Sequence, residues 1–147
     1  MSAFADILAA IVARLQAAPA VAGGAVMTNR LRPLAAGVTS AVVVRLESSQ
    51  ATESTFDTSD WTTTFLVECY GKAASASVDP DAAVDLLLAE VYGRLAALSL
   101  DGLGVAQVAV QPAIDWQRDE DGNAMVCAVL RLNVIHRTHV NSLAAWQ

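Results

Sequence analysis

The chain has 147 residues, 15 acids against 9 bases for a net charge of −6, 54% apolar residues and a mean hydropathy of +0.43. That hydropathy owes much to 29 Ala and 18 Val, and the longest apolar runs, 7–13 and 124–130, hold seven residues each, far short of the ~20 that a spanning helix needs. No membrane span is therefore expected, Asp6 as the first charge speaks against a signal peptide, and a single lysine (Lys72) within an acid surplus speaks against a nucleic-acid clamp.

The length suits one domain able to bury a core without covalent staples. Cys69 and Cys127 each sit in an apolar run, where a free thiol behaves as a small buried hydrophobe. Ser2 is a candidate N-cap, and Phe4, Ile7, Leu8, Ile11, Val12 and Leu15 recur at three- and four-residue spacing. That spacing predicts an amphipathic helix, closed by Pro19 and the Gly23-Gly24 pair. Short extended segments at 25–29 and 40–46 follow, separated by a loop that carries Arg30, Arg32 and Pro33. Residues 47–60 hold four acids, no base and one large apolar residue, Phe56. Such a composition predicts a flexible acidic loop.

From Trp61 to Tyr70 the chain alternates, with Trp61, Thr63, Phe65, Val67 and Cys69 on one face, and is a strand. Asp79 and Pro80 then open a second helix, striped by Val84, Leu87, Leu88, Val91, Leu95 and Leu98, with Glu90 and Arg94 able to pair on its far side. Two long strands at 105–116 and 124–139 are joined by an acidic turn, Arg118-Asp119-Glu120-Asp121-Gly122, whose Asp-Gly pair signals a hairpin. This order predicts an α+β fold: a mixed, mainly antiparallel sheet with two helices on one face. Residues 140–147 read as a tail.

Catalytic motifs are missing from this pattern. The chain has no Gly-rich phosphate loop, nucleophile elbow or metal-spaced Cys/His set, so no catalytic residue, metal or cofactor is expected. His136 and His139, three apart on a strand, point to opposite faces and cannot chelate together. Asp119, Glu120 and Asp121 are consecutive in a solvated turn, which denies them the split environments an acid–base pair needs. Arg45 and Arg131 are read as neutralising nearby carboxylates, Trp61 and Trp116 as core, and Trp146 in the tail as packing on a partner. A sheet covered on one face should be polar on the other. Leu66, Tyr70, Met125, Cys127 and Val129 fall on the uncovered face, which predicts an exposed association surface of the kind that closed rings bury.

The layout resembles the tail terminator proteins of long, flexible-tailed bacteriophages, of the lambda minor tail protein U type. The resemblance spans residues 3–138. It rests on the opening helix 5–16, the Val-rich strand 41–46 and Asp57-Thr58-Ser59-Asp60-Trp61 leading into the strand 62–70. It continues through the Asp/Pro-started helix 79–98 to the segment Ile114-Asp115-Trp116-Gln117-Arg118-Asp119-Glu120-Asp121-Gly122 and the closing strand.

The resemblance implies a non-enzymatic virion protein, assembled in the host cytoplasm, that forms a homo-hexameric ring on the head-proximal end of the tail tube. Such a ring stops tube polymerisation and offers the surface to which the head–tail connector binds, while DNA passes through its lumen without specific binding. An acidic wall suits that passage, because like charges repel phosphate. In this picture the loop 47–60 orders on assembly, and Arg30 and Arg32 form subunit-to-subunit ion pairs with Glu47, Glu53, Asp57 and Asp60. Arg118, Asp119, Glu120 and Asp121 face the tube or the connector. The alternatives are a connector or stopper of the same virion, or a small-molecule-binding α+β domain whose apolar sheet face lines a pocket.

Overall fold

The structure, a computed structural model, describes residues 1–28, 37–73, 79–118 and 125–147. Helix α1 (Ala3–Gln16) begins where a cap was expected: Ser2 stays extended and its hydroxyl accepts the Ala5 N–H at 3.4 Å. Helix α2 (Pro80–Ala96) begins at Asp79, whose carboxylate accepts the Asp81 N–H at 3.0 Å, with Pro80 in the first turn. Arg94 pairs with Glu90 at 3.1 Å, the i,i+4 pair read from the sequence. It also donates to the carbonyls of Leu15 (3.2 Å) and Ala17 (2.8 Å). Those are orphan acceptors at the end of α1, so one guanidinium ties the two helices together.

The strands are β1 (Val26–Met27), β2 (Ser40–Ser54), β3 (Thr58–Lys72), β4 (Val105–Arg118) and β5 (Met125–His139). They form one sheet in the order β1-β2-β3-β5-β4. The short β1 runs parallel to β2 and every other pairing is antiparallel, so the predicted mixed sheet is the observed one. Both helices lie on one face. Ile7, Ile11 and Leu15 of α1 and Val84, Val91 and Leu95 of α2 share a core with Val42, Val44, Phe65, Val67, Leu130, Leu132 and Val134 of the sheet. The approach is close enough that a Cβ on Gly71 would lie 2.5 Å from a Val84 methyl.

Three expectations need correction. Residues 47–54 are not a loop: β2 continues through them, paired from Ser48↔Thr64 to Ser54↔Ser59, and only residues 55–57 turn. Composition judged this segment by the surface it could bury, but its order comes from the backbone ladder to the Thr-rich β3. Side-chain bonds add to it, Thr63 to Ser49 at 3.0 Å and Ser54 to Ser59 at 3.2 Å. Next, the apolar residues of the helix-free face are not exposed. Ala41, Val43, Leu66, Tyr70, Cys127 and Val129 form a second buried cluster, with Ala25, Met27, Val38 and Met125 packed on it. The surplus hydrophobicity is buried within the chain, because the sheet has a core on each face at the β1 end.

The third correction concerns the outlying tryptophans. Trp116 is 45% exposed on the edge strand β4 rather than core. Trp146 has an intramolecular place. Its N–H donates to the Arg137 carbonyl at 3.0 Å and its ring sits 4.6 Å from that of His139. The tail is stitched down further by Ala3 N–H to the Leu143 carbonyl (2.7 Å) and Val140 N–H to the Asp57 carbonyl (2.8 Å). Gly104 permits this: at φ +66° its Cα lies so near the tail that a Cβ would meet the Trp146 carbonyl oxygen at 2.7 Å.

Candidate assembly surface

With the register known, the outward alternation of four strands places a polar ladder across the helix-free face. Arg45 on β2 meets Glu68 on β3 at 2.7 Å, and the Tyr70 hydroxyl donates to the same carboxylate at 3.1 Å. Arg131 on β5 bridges Glu47 on β2, at 3.4 Å, and Asp115 on β4. Thr64 and Gln111 both donate to the side-chain amide oxygen Oδ1 of Asn133 at 2.9 Å. Nearer the hairpin turn, Arg137 grips Asp60 with both ends of its fork, at 2.5 and 2.9 Å. That charge-assisted pair holds the Asp60 carboxyl below its ordinary 3.8. Arg45, Arg131 and Arg137 are thus each engaged by a carboxylate, as read for the first two.

The β2–β3 hairpin extends this face beyond the helices. Its turn is held by Thr55 N–H to the Thr58 carbonyl (2.8 Å) and by a 2.9 Å bond between the two Thr hydroxyls. The tip presents Phe56, 93% exposed, between Glu53 and Asp57. No salt bridge among the described residues engages either acid. Of the remaining sequence-predicted residues, Glu47 and Asp60 belong to the ladder, Arg118 pairs with Asp81 of α2 at 2.7 Å, and Trp146 anchors the tail. Arg30, Arg32, Asp119, Glu120 and Asp121 lie outside the described residues.

On the helix side, His136 is 1% exposed beneath Phe4, ring centroids 5.0 Å apart. Its Nε2 lies 2.8 Å from the Thr63 hydroxyl, which itself donates to Ser49. Nε2 therefore carries the proton, and Nδ1 is a bare acceptor, buried without a partner. Burial pushes the His136 pKa below 6.5. The two cysteines lie on adjacent strands but on opposite faces of the sheet, and no disulfide joins them. Burial, and secondarily Cys127, pushes the Cys69 thiol up to about 12, which leaves it an inert packing group. Among the described residues, no three His, Cys, Asp or Glu side chains group to hold a metal ion, and no helix is long and apolar enough to cross a membrane.

The sheet edges that lack a backbone partner among the described residues, along β4 and the outer part of β2, escaped the sequence reading. They depend on strand order, which periodicity does not encode. The exposed Phe56 was legible as the one large apolar residue in an otherwise polar stretch.

No protein-family model matches the chain, and no curated protein matches it. Among solved structures, a chain of the virion of the native gene transfer agent (GTA) particle shares its fold. The TM-score is 0.64 at 21% identity, covering 90% of this chain and 95% of that one. The likeness therefore takes in nearly the whole of both chains.

Proposed function

We propose that the chain is a structural protein of a phage-like virion, forming a ring on the head-proximal end of the tail tube. There it would end tube polymerisation and receive the head–tail connector, with DNA passing through the lumen unbound. The observation that carries this reading is the end-to-end fold likeness to a chain of a GTA virion. The ordered series of motifs shared with tail terminators gives it its finer content: a homo-hexamer, non-enzymatic, meeting tail tube protein on one side and connector on the other. The polar, charge-paired sheet face and the protruding acidic hairpin are surfaces suited to assembly rather than to chemistry. The pocket reading loses its basis, because the apolar half of the second sheet face is buried within the chain.

The test is to add the purified chain to tail tube protein while tubes are growing and to image the ends by electron microscopy. The expected result is a ring-shaped density at one end and tubes that stop lengthening. Tubes of unchanged length with bare ends would refute the terminator role. Binding to capsid-side proteins without any tube would instead identify a connector.

A further inference from the structure

Two strand edges of the sheet have no backbone partner among the described residues. β4 closes one side along its whole length, while on the other side β1 covers β2 only at Val42 and Val43, leaving 44–54 open. Folded monomers blunt such edges with short strands, charges, bulges or proline, because an open edge pairs readily with another chain. These edges are long: β4 has 14 residues, and the unpaired stretch of the 15-residue β2 runs from 44 to 54. Their charges lie toward the ends, Asp115 and Arg118 in β4 and Arg45, Glu47 and Glu53 in β2, and each strand has two register irregularities, one of them in β4 holding Pro112; 105–111 and 48–52 contain no charged residue.

The two edges also match each other in level. Across the sheet, Leu46 pairs with Phe65, Phe65 with Leu132 and Leu132 with Val110; Gln50 leads likewise through Thr62 and Ile135 to Gln107. Residues 44–51 of the open stretch therefore stand level with the first ten residues of β4, from Ile114 back to Val105. They match in direction as well. Three antiparallel steps separate β2 from β4, so β4 of one copy laid on β2 of the next runs antiparallel to it. A head-to-tail contact of this kind uses two different surfaces and repeats round an axis until it closes, which removes every edge at once.

We infer that copies of this chain join by pairing β4 of one with residues 44–54 of β2 in the next, making a continuous antiparallel sheet round the ring. The inference deepens the ring reading proposed above and rests on it. Both helices lie on one face, and closure with that bulky face outward puts the ladder of Arg45, Arg131 and Arg137 inside, each guanidinium already held by a carboxylate. Six copies would bring about 24 strands, a wall ~115 Å round at ~4.8 Å per strand. Barrels of about 16–18 strands already leave an aqueous channel. A lumen walled by neutralised arginines and acids offers phosphate nothing to grip.

The experiment is disulfide trapping in the full chain. Gln107→Cys is combined with Ser48→Cys, Gln50→Cys or Glu53→Cys, whose β3 partners Thr64, Thr62 and Asp60 share one sheet face, so that neighbouring registers are sampled. Within one copy the two positions are three strands apart, ~14 Å, beyond the ~7 Å limit for a bridge, and the native Cys69 and Cys127 are buried. Bridges therefore report on contacts between copies. Mild oxidation of rings assembled on tube ends should carry more than half of the chain in one variant into a ladder of multimers, ending in a closed species, while each single-cysteine variant stops at dimer. Rings that form normally in all three double variants without a ladder beyond dimer would overturn edge pairing and leave the ring reading standing. An unmodified chain that stays monomeric with tube ends present would overturn both.

Discussion

The two halves of β2 share one strand and one partner, yet they are ordered by different forces. Ala41, Val42, Val43 and Val44 are at most 1% exposed, sandwiched between the helix-side core and the second cluster. Every residue from Arg45 to Ser54 is exposed. The inner half is held by apolar burial, worth ~25 cal/mol per Å². The outer half is held by its ladder to β3 and by cross-strand side-chain bonds, each contributing a modest net amount. Stability thus resides at one end of the ribbon, and the other end is left free for contact.

The largest test of that contrast is Phe65→Ala. Phe65 is fully buried where the two halves meet, opposite Leu46 on one side and Leu132 on the other. Removing the ring should cost about 3–5 kcal/mol, read as a lowered urea midpoint. If the midpoint held, the outer ladder would be carrying far more of the fold than argued.

Next in size is Thr63→Val, which removes the hydroxyl joining His136 to Ser49. The buried His136 Nε2–H then loses its acceptor, an expected loss of about 1–3 kcal/mol. The substitution is close to isosteric, so a change under half that size would mean the donor finds another partner. The same histidine gives the fold a pH dependence. Its folded pKa is depressed below 6.5, so the unfolded chain takes up the proton first as pH falls. The stability due to neutral His136 is complete above about 6.5 and is lost as pH drops through the lower folded value. Melting temperatures should decline across that window, and His136→Gln should flatten the decline. Asp60, also lowered but from 3.8, acts in a separate window below that value.

These residues also show what a sequence yields and withholds. Both helices were legible because caps and apolar spacing are local: Ser2, Asp79 and the stripe from Val84 to Leu95 say the same thing at neighbouring positions. The face sharing of β5, from Val126 to His136, was legible from alternation alone. The hairpin 47–60 was not, because its order depends on backbone pairing to residues up to 16 positions away (Ser48 with Thr64), which composition cannot register. Nor was the ladder legible as a ladder. Arg131 meets Glu47 and Asp115 only once strand order brings β2, β3, β5 and β4 together. The cover over Leu66 and Val129 was missed for the same reason.

The smallest effect on stability, and the most informative about function, belongs to the hairpin tip. Glu53→Lys with Asp57→Lys changes two exposed acids that no salt bridge among the described residues engages, beside a Phe56 that is 93% exposed. The folded chain loses no salt bridge, only the longer-range attraction of Glu53 for Arg137, so the melting temperature and urea midpoint should stay close to those of the unaltered protein. Arg137, the nearest cation, keeps its fork on Asp60. Ring formation on tube ends, or the joining of tails to heads, should nevertheless fall, because the tip is the part of the ribbon that the fold itself does not use. A double variant that melts earlier would show that the outer half stabilises the fold after all, collapsing the distinction between the two halves of β2. One that melts normally and still caps tubes would leave the distinction intact and remove the tip from the assembly surface, with the open edges of β2 and β4 as what remains.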